Sequence, residues 1–335
     1  MVPNIEDVAR RAGVSRSTVS YALSGKRRIS HQTRERIEAA IAELGFTPNA
    51  GARALATAQT KVIGLFVQFF EYEFPPAMLQ YVLPISDTAR EAGYDILMVT
   101  EADGPHAVHR ILSSGMADGV VLLNVAYEDA RLPVMRKMKQ PGAMVGLPRN
   151  PEGFDVFDLD FAEAGRILVD HLNDLGHRDV ILITPRKRVY ERGGAYAWRF
   201  QNAALERAAS YGIRVRSYHG ETQQPAVNRQ LNEILDTRQE TAVIVHNDAV
   251  IAALPSVLYS RGIRVPEEMS VVGMFSEDFG KLFSLPYTAV ETSPNELGRL
   301  AVQALVRRMI RPEAASAVGI EHLVAPHITD RGSTR

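Results

Sequence analysis

Apolar positions in the first 46 residues recur at helical spacing, in three short segments. The apolar face of the first segment consists of Ile5, Val8, Ala9 and Ala12. Gly13 follows and can end that helix in the left-handed conformation, which glycine adopts at least cost. Ser15 is a natural N-cap for a second helix that begins at Arg16 and turns Val19 inwards. The pattern predicts a helix, a three-residue turn and a second helix, the arrangement that presents its second helix to the major groove of DNA.

A third helix is predicted after Ser30, another typical N-cap residue. Its buried positions are Ile37, Ile41 and Leu44, spaced i, i+4 and i+7, and a glycine follows its end. Three short helices that share an apolar side form a module of their own. A generic three-helix interaction domain is the alternative that this pattern leaves open.

From residue 61 onwards, short apolar runs alternate with amphipathic helical stretches. The runs, predicted as strands, span residues 62–69, 96–99, 119–123, 143–147, 180–184, 242–246 and 271–275. The helical stretches span residues 76–92, 161–175, 196–211, 224–236, 248–261 and 294–310. This alternation predicts parallel sheets covered by helices on both faces. For 275 residues we expect two α/β lobes, with a small-molecule site beyond the carboxyl ends of their strands.

Charge is distributed unevenly along the chain. Over all 335 residues, 38 Lys and Arg against 39 Asp and Glu give a net charge of −1, which argues against binding nucleic acid through bulk positive charge. Residues 1–60, however, contain nine basic and five acidic side chains, so this segment carries +4 and the remainder −5. Such segregation is typical of a nucleic-acid-binding segment on a body with another task, although a merely solvated basic face is the alternative.

Composition and motifs exclude several kinds of chemistry. The sequence has no cysteine, which rules out disulfides, thiolate nucleophiles and cysteine-based metal centres. No apolar run approaches the roughly 18 residues of a membrane span, and the first residues lack the order of a signal peptide, so we expect a cytoplasmic protein without a membrane partner. No phosphate-binding loop, dinucleotide fingerprint or nucleophile elbow is present. The histidine pairs at 106/109 and 322/327 lack a third ligand, and we expect neither an enzyme nor a metal or other cofactor.

The residues of the N-terminal module carry a family resemblance. The segment from Ile5 to Gly25, IEDVARRAGVSRSTVSYALSG, is followed by Ile29-Ser30, Thr33-Arg34, Leu44-Gly45-Phe46 and Pro48-Asn49. This pattern resembles the N-terminal module of LacI/GalR-family transcription regulators, densely over residues 1–60 and more weakly over almost the whole chain. The resemblance implies a helix-turn-helix DNA-binding domain at residues 1–46, a hinge helix or linker at 47–60, and an effector-binding and dimerisation domain at 61–335.

In this family the recognition helix begins with the residues that read bases. The resemblance therefore implies that Arg16, Ser17 and Tyr21 meet base edges, with Arg16 able to bind a guanine through two hydrogen bonds. Tyr21 departs from the arginine usual at its position, so we expect an operator preference that differs from the common half-site of the family. Contacts to the DNA backbone, which set register without reading sequence, are expected from Ser15, Thr18, Ser20, Lys26, Arg27, Arg28 and Arg34.

The segment after the module has little helical stability of its own. Pro48 suits a first helical position, but so short a helix is marginal alone and Gly51 weakens it. The resemblance implies a hinge that folds only on DNA, with Leu55 as an apolar wedge at a central base step of the minor groove. The hinge residues expected in that groove are Asn49, Ala52, Arg53 and Leu55. A flexible alanine-rich linker is the alternative.

The body carries weaker landmarks of the family in the expected order. They include Asp158-Leu159-Asp160, Asn247-Asp248 and Glu296-Leu297-Gly298. These resemble the periplasmic-binding-protein-like effector domain of the family, in which two α/β lobes with parallel sheets are joined by three chain crossings and the core dimerises. Here the crossings are expected near residues 160, 290 and 320. Lobe 1 would then hold residues 61–159 and 290–319, and lobe 2 would hold residues 160–289 and 320–335.

The expected effector site departs from the sugar-binding pattern of the family. Where sugar-binding members commonly have an arginine, this sequence has Tyr196, with Arg192 and Arg199 nearby. Where they have an aspartate shortly after a glycine, it has Ser276. We therefore predict a ligand less rich in hydroxyl groups than a common sugar, because paired hydrogen bonds to vicinal hydroxyls are in doubt. The predicted contacts are Phe69, Tyr72, Arg192, Tyr196, Arg199, Asn247, Asp248, Phe275 and Ser276.

These features together predict a homodimeric transcription regulator, and repression is the more common output in the family. It is expected to bind double-stranded operator DNA and to change its affinity when a small molecule binds between the lobes. A solute-binding protein with the same body fold is the alternative. The missing signal peptide and the basic N-terminal module oppose that alternative.

Overall fold

The N-terminal module forms the three helices that its pattern predicts. A computed structural model describes residues 3–24, 27–47, 51, 54, 57, 59–311 and 319–335. The helices of the module are α1 (Ile5–Ala12), α2 (Arg16–Ser24) and α3 (His31–Leu44). They enclose a small core in which Val8, Val19 and Ile37 are almost completely buried. The inward position predicted for Val19 is therefore confirmed.

The ends of these helices use the predicted residues and one further cap. Gly13 and Gly45 close α1 and α3 in the left-handed conformation, with φ of 63° and 61°, and Ser30 caps the start of α3. Helix α1 begins with a capping box, a feature that the pattern of apolar positions does not indicate. Asn4 accepts the backbone N–H of Asp7, and the Asp7 carboxylate accepts the backbone N–H of Asn4 at 3.0 Å.

The body consists of two six-stranded sheets. The strands of the first sheet are β1 (Val62–Phe66), β2 (Asp95–Val99), β3 (Gly119–Leu122), β4 (Gly142–Val145), β5 (Asp155–Leu159) and β11 (Glu321–Val324). Their order is β11-β5-β4-β3-β1-β2, and every neighbouring pair is parallel. The strands of the second sheet are β6 (Asp179–Thr184), β7 (Arg214–His219), β8 (Ala242–Val245), β9 (Ser270–Met274), β10 (Thr288–Val290) and β12 (Ile328–Thr329). Their order is β12-β10-β9-β8-β6-β7, with only the short β12 antiparallel to its neighbour.

Helices cover both sheets, as the alternating pattern predicts. They are α4 (Pro75–Glu91), α5 (Gly104–Ser113), α6 (Leu132–Met135), α7 (Phe161–Asp174), α8 (Lys187–Glu191), α9 (Ala195–Ser210), α10 (Ala226–Asp236), α11 (Asp248–Ser260), α12 (Glu277–Leu282) and α13 (Pro294–Ile310). Helix α13 packs against α4 and against the first sheet, whereas α7 packs against α9 and β10. In the part of the chain that the structure describes, no helix is both long and apolar enough to cross a membrane.

Each sheet with its helices forms one lobe, and we call the lobe of the first sheet lobe 1 and the other lobe 2. The chain passes between the lobes after β5, after β10 and after β11. The third crossing lies a few residues beyond the position expected near 320. The placement of residues 320–324 in lobe 2 is wrong, because β11 pairs with β5 in lobe 1 and the chain reaches lobe 2 only between Val324 and Ile328. Most residues of β11 are exposed and form no apolar run, so their pattern does not indicate which sheet they join.

Candidate DNA-reading face and interlobe cavity

Helix α2 presents the three residues predicted to read bases on the outside of the module. Arg16, Ser17 and Tyr21 are exposed, whereas Val19 is buried between the helices. The first two of these residues occupy the first turn of the helix, where backbone amides lack intrahelical acceptors. This helix end can therefore approach DNA without disturbing the core of the module.

Arg16 is only loosely held in the free protein. Its Nη1 lies 3.6 Å from Oε1 of Glu6 on α1, with 69% and 62% of the two side chains exposed. Exposed ion pairs of this kind contribute little to stability, because water competes for both charges. Arg16 can therefore exchange Glu6 for a base at small cost.

The residues predicted to contact the DNA backbone differ in their exposure and in whether they already form hydrogen bonds within the module. The exposed basic residues of this set are Arg27, Arg28 and Arg34. Ser15 is engaged within the module, because its Oγ accepts the N–H of Thr18 at 3.2 Å and caps α2. Thr18 and Ser20 are half-buried. Lys26 and the predicted hinge residues Asn49, Ala52, Arg53 and Leu55 lie outside the described residues.

A cavity of about 170 Å³ lies between the two lobes. The carboxyl ends of strands from both sheets converge on it: Asn124 follows β3, Asp158 lies near the end of β5, and His246 follows β8. This is the place where open parallel sheets hold their ligands. The aromatic side chains in its wall are Phe69, Phe70, Tyr72, Phe74, Tyr81, Phe161 and Tyr196.

The structure brings together most of the residues predicted to contact an effector. Those that line the cavity are Phe69, Tyr72, Tyr196, Asn247 and Asp248. Arg192 and Arg199 lie behind the wall, where they pair with the lining carboxylates of Glu73 and Asp158. Five of the nine predicted residues thus line the cavity, and for Arg192 and Arg199 the predicted effector contact is corrected to a supporting position beside the wall.

Phe275 and Ser276 do not line the cavity, and for these two residues the prediction is corrected. Phe275 is buried in the core of lobe 2. The Oγ of Ser276 accepts the N–H of Phe279 at 3.0 Å and so caps α12. Met274, the last residue of β9, occupies the wall instead. Successive strand residues point to opposite sides of a sheet, so a shift of one position moves Phe275 from the cavity to the core.

Two ion pairs connect the lobes beside the cavity. Arg192 Nη2 in lobe 2 lies 2.7 Å from Glu73 Oε1 in lobe 1, and Asn124 Nδ2 donates to the other carboxylate oxygen at 2.7 Å. Arg199 on α9 pairs with Asp158 of β5. Burial raises the pKa of Glu73 and raises the pKa of Asp158 to about 6, although each arginine acts in the opposite direction. We refer to these two contacts as the interlobe ion pairs.

Asp248 lines the cavity without an ion-pair partner among the described residues. It is the first residue of α11, next to the N-cap Asn247, and burial raises the pKa of its carboxyl to about 6. Beside it, His246 is 8% exposed, its Nδ1 has no hydrogen-bond partner, and burial lowers its pKa to about 3, so the ring is neutral. Thr222 Oγ1, also in the wall, has no partner either. Buried polar atoms without partners are rare, and here they are available to a ligand.

The groups present are suited to hydrogen bonding, charge pairing and ring contacts. Within the residues that the structure describes, no group of three or more His, Asp or Glu side chains is placed to hold a metal ion. His106 and His109 lie on α5, away from the wall of the cavity. The cavity offers carboxylates, amides, hydroxyls and aromatic rings to a small molecule.

Sequence reasoning missed several residues that shape the cavity, among them His246, Asp158 and Glu73. His246 follows the apolar run of β8, and its position at the carboxyl end of a strand could have identified it. Asp158 belongs to a stretch that the sequence marks only as a landmark of the family. Glu73 carries no comparable signal, because it is a single acidic residue in an aromatic-rich segment.

Two protein families match separate parts of the chain. The family described as bacterial regulatory proteins, lacI family, matches residues 4–49. A periplasmic binding protein-like domain matches residues 169–334. The first match covers the helical module, and the second covers most of lobe 2 together with α13.

Named relatives extend over nearly the whole chain. HTH-type transcriptional regulator CelR of Thermobifida fusca is 30% identical over 319 residues, covering 92% of this chain and 92% of that protein. HTH-type transcriptional repressor PurR of Haemophilus influenzae is 27% identical over 315 residues, covering 91% of this chain and 90% of that protein. A solved complex of the transcriptional regulator CelR with cellobiose has a TM-score of 0.68 at 25% identity and covers 99% of both chains. The lac repressor dimer bound to operator and the anti-inducer ONPF shares the fold, with a TM-score of 0.82 at 23% identity over 100% of this chain and 99% of that one.

Proposed function

The chain belongs to the lacI family of bacterial regulatory proteins, and on that premise we propose that it is a repressor that binds operator DNA as a homodimer and responds to a small molecule held between its lobes. Its full-length relatives are named as transcriptional regulators and repressors. In this role the protein is a DNA-binding regulator and not an enzyme. It acts in the cytoplasm, where the bacterial chromosome lies.

The observation that carries this proposal is the presence, in one chain, of an exposed reading face and a cavity shared by two lobes. The reading face is the exposed surface of the module that bears Arg16, Ser17 and Tyr21. Arg16 and Tyr21 are exposed on the second helix of a helix-turn-helix module. The cavity takes its wall from both lobes, so a ligand bound there contacts each of them. A small molecule that favours one arrangement of the lobes can therefore influence the segment that leads to the module.

The reading face supports specific contacts with bases and with phosphates. Arg16 would donate to O6 and N7 of a guanine, a contact worth about 1–3 kcal/mol of discrimination. Tyr21 offers a hydroxyl group and a ring edge that suits a thymine methyl. The exposed residues Arg27, Arg28 and Arg34 would hold phosphates and fix the register.

Exposed apolar side chains support the pairing of two copies. Leu79 and Leu83 lie one turn apart on α4 and are 45% and 63% exposed, and Leu282 on the neighbouring α12 is 72% exposed. Apolar side chains grouped in this way are typical of a surface that another molecule covers. A two-fold dimer would place two reading helices about one turn of DNA apart, ~34–36 Å, and so favour a pseudo-palindromic operator. The lac repressor, similar in fold, is described as a dimer on its operator.

The interlobe ion pairs supply a physical route from the cavity to the DNA. Arg192–Glu73 and Arg199–Asp158 join the lobes in the present arrangement, and a ligand in the cavity strengthens or weakens that arrangement. Coupling between two such sites is typically about 1–3 kcal/mol and acts equally in both directions. The effector therefore shifts operator affinity by as much as the operator shifts effector affinity.

Selection from random-sequence DNA with the full chain tests the proposal. We expect enrichment of a site with two related half-sites. Arg16→Ala should bind the selected site with relaxed preference at one base pair in each half-site, while Arg214→Ala, an exposed arginine of β7, should select the same sequence as the unmodified protein. Recovery of DNA with no enriched sequence would contradict a sequence-specific regulator.

A further inference from the structure

The chain from the N-terminal module enters lobe 1 at a tightly held pair of residues, Thr60 and Lys61. One carboxylate, that of Asp118, accepts three hydrogen bonds there. The backbone N–H of Thr60 donates at 2.8 Å, its hydroxyl group at 2.9 Å, and the backbone N–H of Lys61 at 2.9 Å. Hydrogen bonds to an ionised acceptor are stronger than those between neutral groups. We call Thr60, Lys61 and Asp118 the joint, because they fix the direction in which the chain enters lobe 1.

Lys61 holds a backbone conformation that is uncommon for any residue other than glycine. Its φ is 60°, in the left-handed region, where a β-carbon is crowded. Its carbonyl group accepts the N–H of Asp95 at 2.8 Å, and its Nζ lies over the ring of Tyr94, 4.5 Å from the centroid. Tyr94 is buried in the hydrophobic core. Such a conformation persists only where the surrounding contacts hold it, so the joint is stiff.

Strand β3 extends from the joint to the cavity. Asp118 comes directly before β3, and Leu123 and Asn124, which line the cavity, come directly after it. At about 3.3 Å per residue, the distance from Asp118 to Asn124 is about 20 Å. Asn124 donates to Glu73 and accepts from Arg192 of lobe 2, so the strand ends at an interlobe ion pair. β3 lies between β1 and β4 within the sheet, which makes it a rigid element.

Helix α4 forms a second connection between the cavity and the joint. Met78 and Tyr81, in the first half of the helix, line the cavity. Just beyond its last residue the chain turns, and the N–H of Tyr94 donates to the carbonyl group of Ala89 at 2.9 Å. The ring of Tyr94 lies under Lys61. A shift of β3 or α4 at the cavity therefore reaches the joint through packed and hydrogen-bonded groups.

From this arrangement we propose that Asp118 is the positioning residue through which the lobes control the DNA-binding module. This inference rests on the proposed function, because it concerns how an effector-responsive regulator changes its operator affinity. A different arrangement of the lobes displaces β3 and α4, and Asp118 makes Thr60 and Lys61 follow that displacement. Without this carboxylate the lobes and the module each keep their structure, but the joint no longer transmits a change from one to the other.

A double-mutant cycle on operator affinity tests the inference. The unmodified full chain, Arg192→Met, Asp118→Asn and the double variant are each titrated with the selected operator by fluorescence anisotropy. Asparagine keeps the shape of the side chain but has only one oxygen to accept hydrogen bonds and carries no charge. We expect Arg192→Met to change operator affinity by about fivefold or more in the unmodified background. In the Asp118→Asn background the same substitution should change it by less than about twofold.

A purely structural role of Asp118 gives a different result in this cycle. Substitutions at well-separated sites usually have independent effects on free energy, so Arg192→Met would then act equally in both backgrounds. Asp95→Asn, which alters an exposed acid at the start of β2, is the matched control and should preserve the full effect of Arg192→Met. An equal effect in the unmodified and Asp118→Asn backgrounds, a loss in Asp95→Asn, or no effect of Arg192→Met in the unmodified chain would overturn the inference.

Hydrogen exchange followed by mass spectrometry tests the joint itself, without DNA. The amides of Thr60 and Lys61 should exchange at least about tenfold faster in Asp118→Asn than in the unmodified protein, because they lose acceptors that hold them. Exchange in Asp95→Asn should equal that of the unmodified protein. Unchanged exchange in a folded Asp118→Asn protein would show that this carboxylate does not hold the joint, and the inference would fail.

Thr60→Val provides a milder variant for the same cycle. Valine keeps the shape of threonine but cannot donate to Asp118, so one of the three hydrogen bonds is lost. The effect of Arg192→Met should fall between its values in the unmodified and Asp118→Asn backgrounds. This variant decides the question if Asp118→Asn does not fold, and the full effect of Arg192→Met in Thr60→Val would then overturn the inference.

Selection from random-sequence DNA distinguishes failure of this inference from failure of the proposed function. A chain that selects an operator but shows an equal effect of Arg192→Met in both backgrounds remains a regulator, and only the inference fails. A chain that selects no DNA sequence loses the proposed function, and the coupling assigned to the joint is lost with it. The inference and the function are both supported if an operator is selected and the effect of Arg192→Met depends on Asp118.

Discussion

The reading face and the cavity use arginine in opposite ways. Arg16 and its partner Glu6 have 69% and 62% of their side chains exposed, whereas Arg199 and Asp158 have 19% and 5% exposed. Water competes for the charges of an exposed pair, so that pair is weak and easily exchanged. A buried pair is costly to break, because the remaining charge has no water to take the place of its partner. The burial of the partner therefore decides whether an arginine binds DNA or joins two lobes.

The largest effect on stability is expected for Arg199→Leu. At pH 8 this change should lower the free energy of unfolding by about 3 kcal/mol, because Asp158 stays buried without its arginine. Burial already raises the pKa of Asp158 to about 6, and loss of the arginine raises that pKa further. The folded variant therefore takes up a proton as the pH falls from 8 to 5, and its deficit shrinks.

Chemical denaturation at pH 8 and pH 5 measures this effect. Arg16→Leu is the matched control and should change stability by no more than about 0.5 kcal/mol at either pH. Equal losses of stability in the Arg199 and Arg16 variants would show that burial of the partner does not distinguish the two arginines.

For DNA binding, in contrast to stability, the direct effects are expected from the exposed arginines of the reading face. Arg16→Ala should lose about 1–3 kcal/mol of discrimination at one base pair of each half-site. Arg28→Ala should weaken binding to all sequences alike and lower the slope of log affinity against log salt by about one. Fluorescence anisotropy with selected and altered operators, from about 50 to 200 mM salt, separates the two results. A change of salt slope without a change of preference in Arg16→Ala would identify that residue as a phosphate contact.

Replacement of the unpaired carboxylate in the cavity should stabilise the fold. Burial holds the pKa of Asp248 at about 6, above its ordinary value of 3.8, so the charged form is disfavoured in the folded protein. The unfolded chain loses this proton first, and the stability of the unmodified protein therefore falls as the pH rises from about 4 to about 6. Asp248→Asn should be more stable by on the order of 1–3 kcal/mol above pH 6, with no gain below pH 4.

Denaturation of Asp248→Asn across this pH range measures the gain. Asp236→Asn, an exposed acid at the end of α10, should show no comparable pH dependence. A loss of stability at pH 8 in Asp248→Asn would mean that the carboxylate has a stabilising partner within the protein.

The smallest expected effect concerns the weak pair on the reading face. Glu6→Gln removes the charge that holds Arg16 in the free protein. Operator affinity should rise by less than about threefold, because exposed pairs contribute about 0–1 kcal/mol. Anisotropy titration at low salt gives the most sensitive measurement. A clear loss of affinity would indicate that Glu6 positions Arg16 for DNA instead of competing with the base.

Most of the fold could be predicted because buried parallel strands and amphipathic helices have distinct periodicities. Strands β1, β3 and β4 of the first sheet and β6, β8 and β9 of the second appear in the sequence as apolar runs, since helices cover them on both faces, whereas the internal strands β5 and β10 lie outside the predicted runs. The edge strand β7, from Arg214 to His219, alternates polar and half-buried positions and has no such run. β11 is also an edge strand with mostly exposed residues, so its pattern does not indicate that it belongs to lobe 1.

The two candidate sites differ in how far sequence can predict them. The reading face is local, because the position of a residue along one helix determines whether it is exposed or buried. The cavity depends on contacts between distant segments: Glu73 and Arg192 are 119 positions apart and meet only when the lobes pack. Even within a predicted strand, the face of the sheet on which Phe275 lies depends on the alternation of side chains along the strand, so an error of one position exchanges the cavity for the core.

Operator affinity of a variant altered far from the DNA tests most directly whether the lobes control the reading face. Arg192→Met removes an interlobe ion pair with Glu73 and leaves residues 1–60 unchanged. We predict that its affinity for the selected operator, measured by fluorescence anisotropy, differs from that of the unmodified protein by about fivefold or more, as expected for coupling of about 1–3 kcal/mol. Unchanged operator affinity in a folded Arg192→Met protein would contradict control of DNA binding by the arrangement of the lobes.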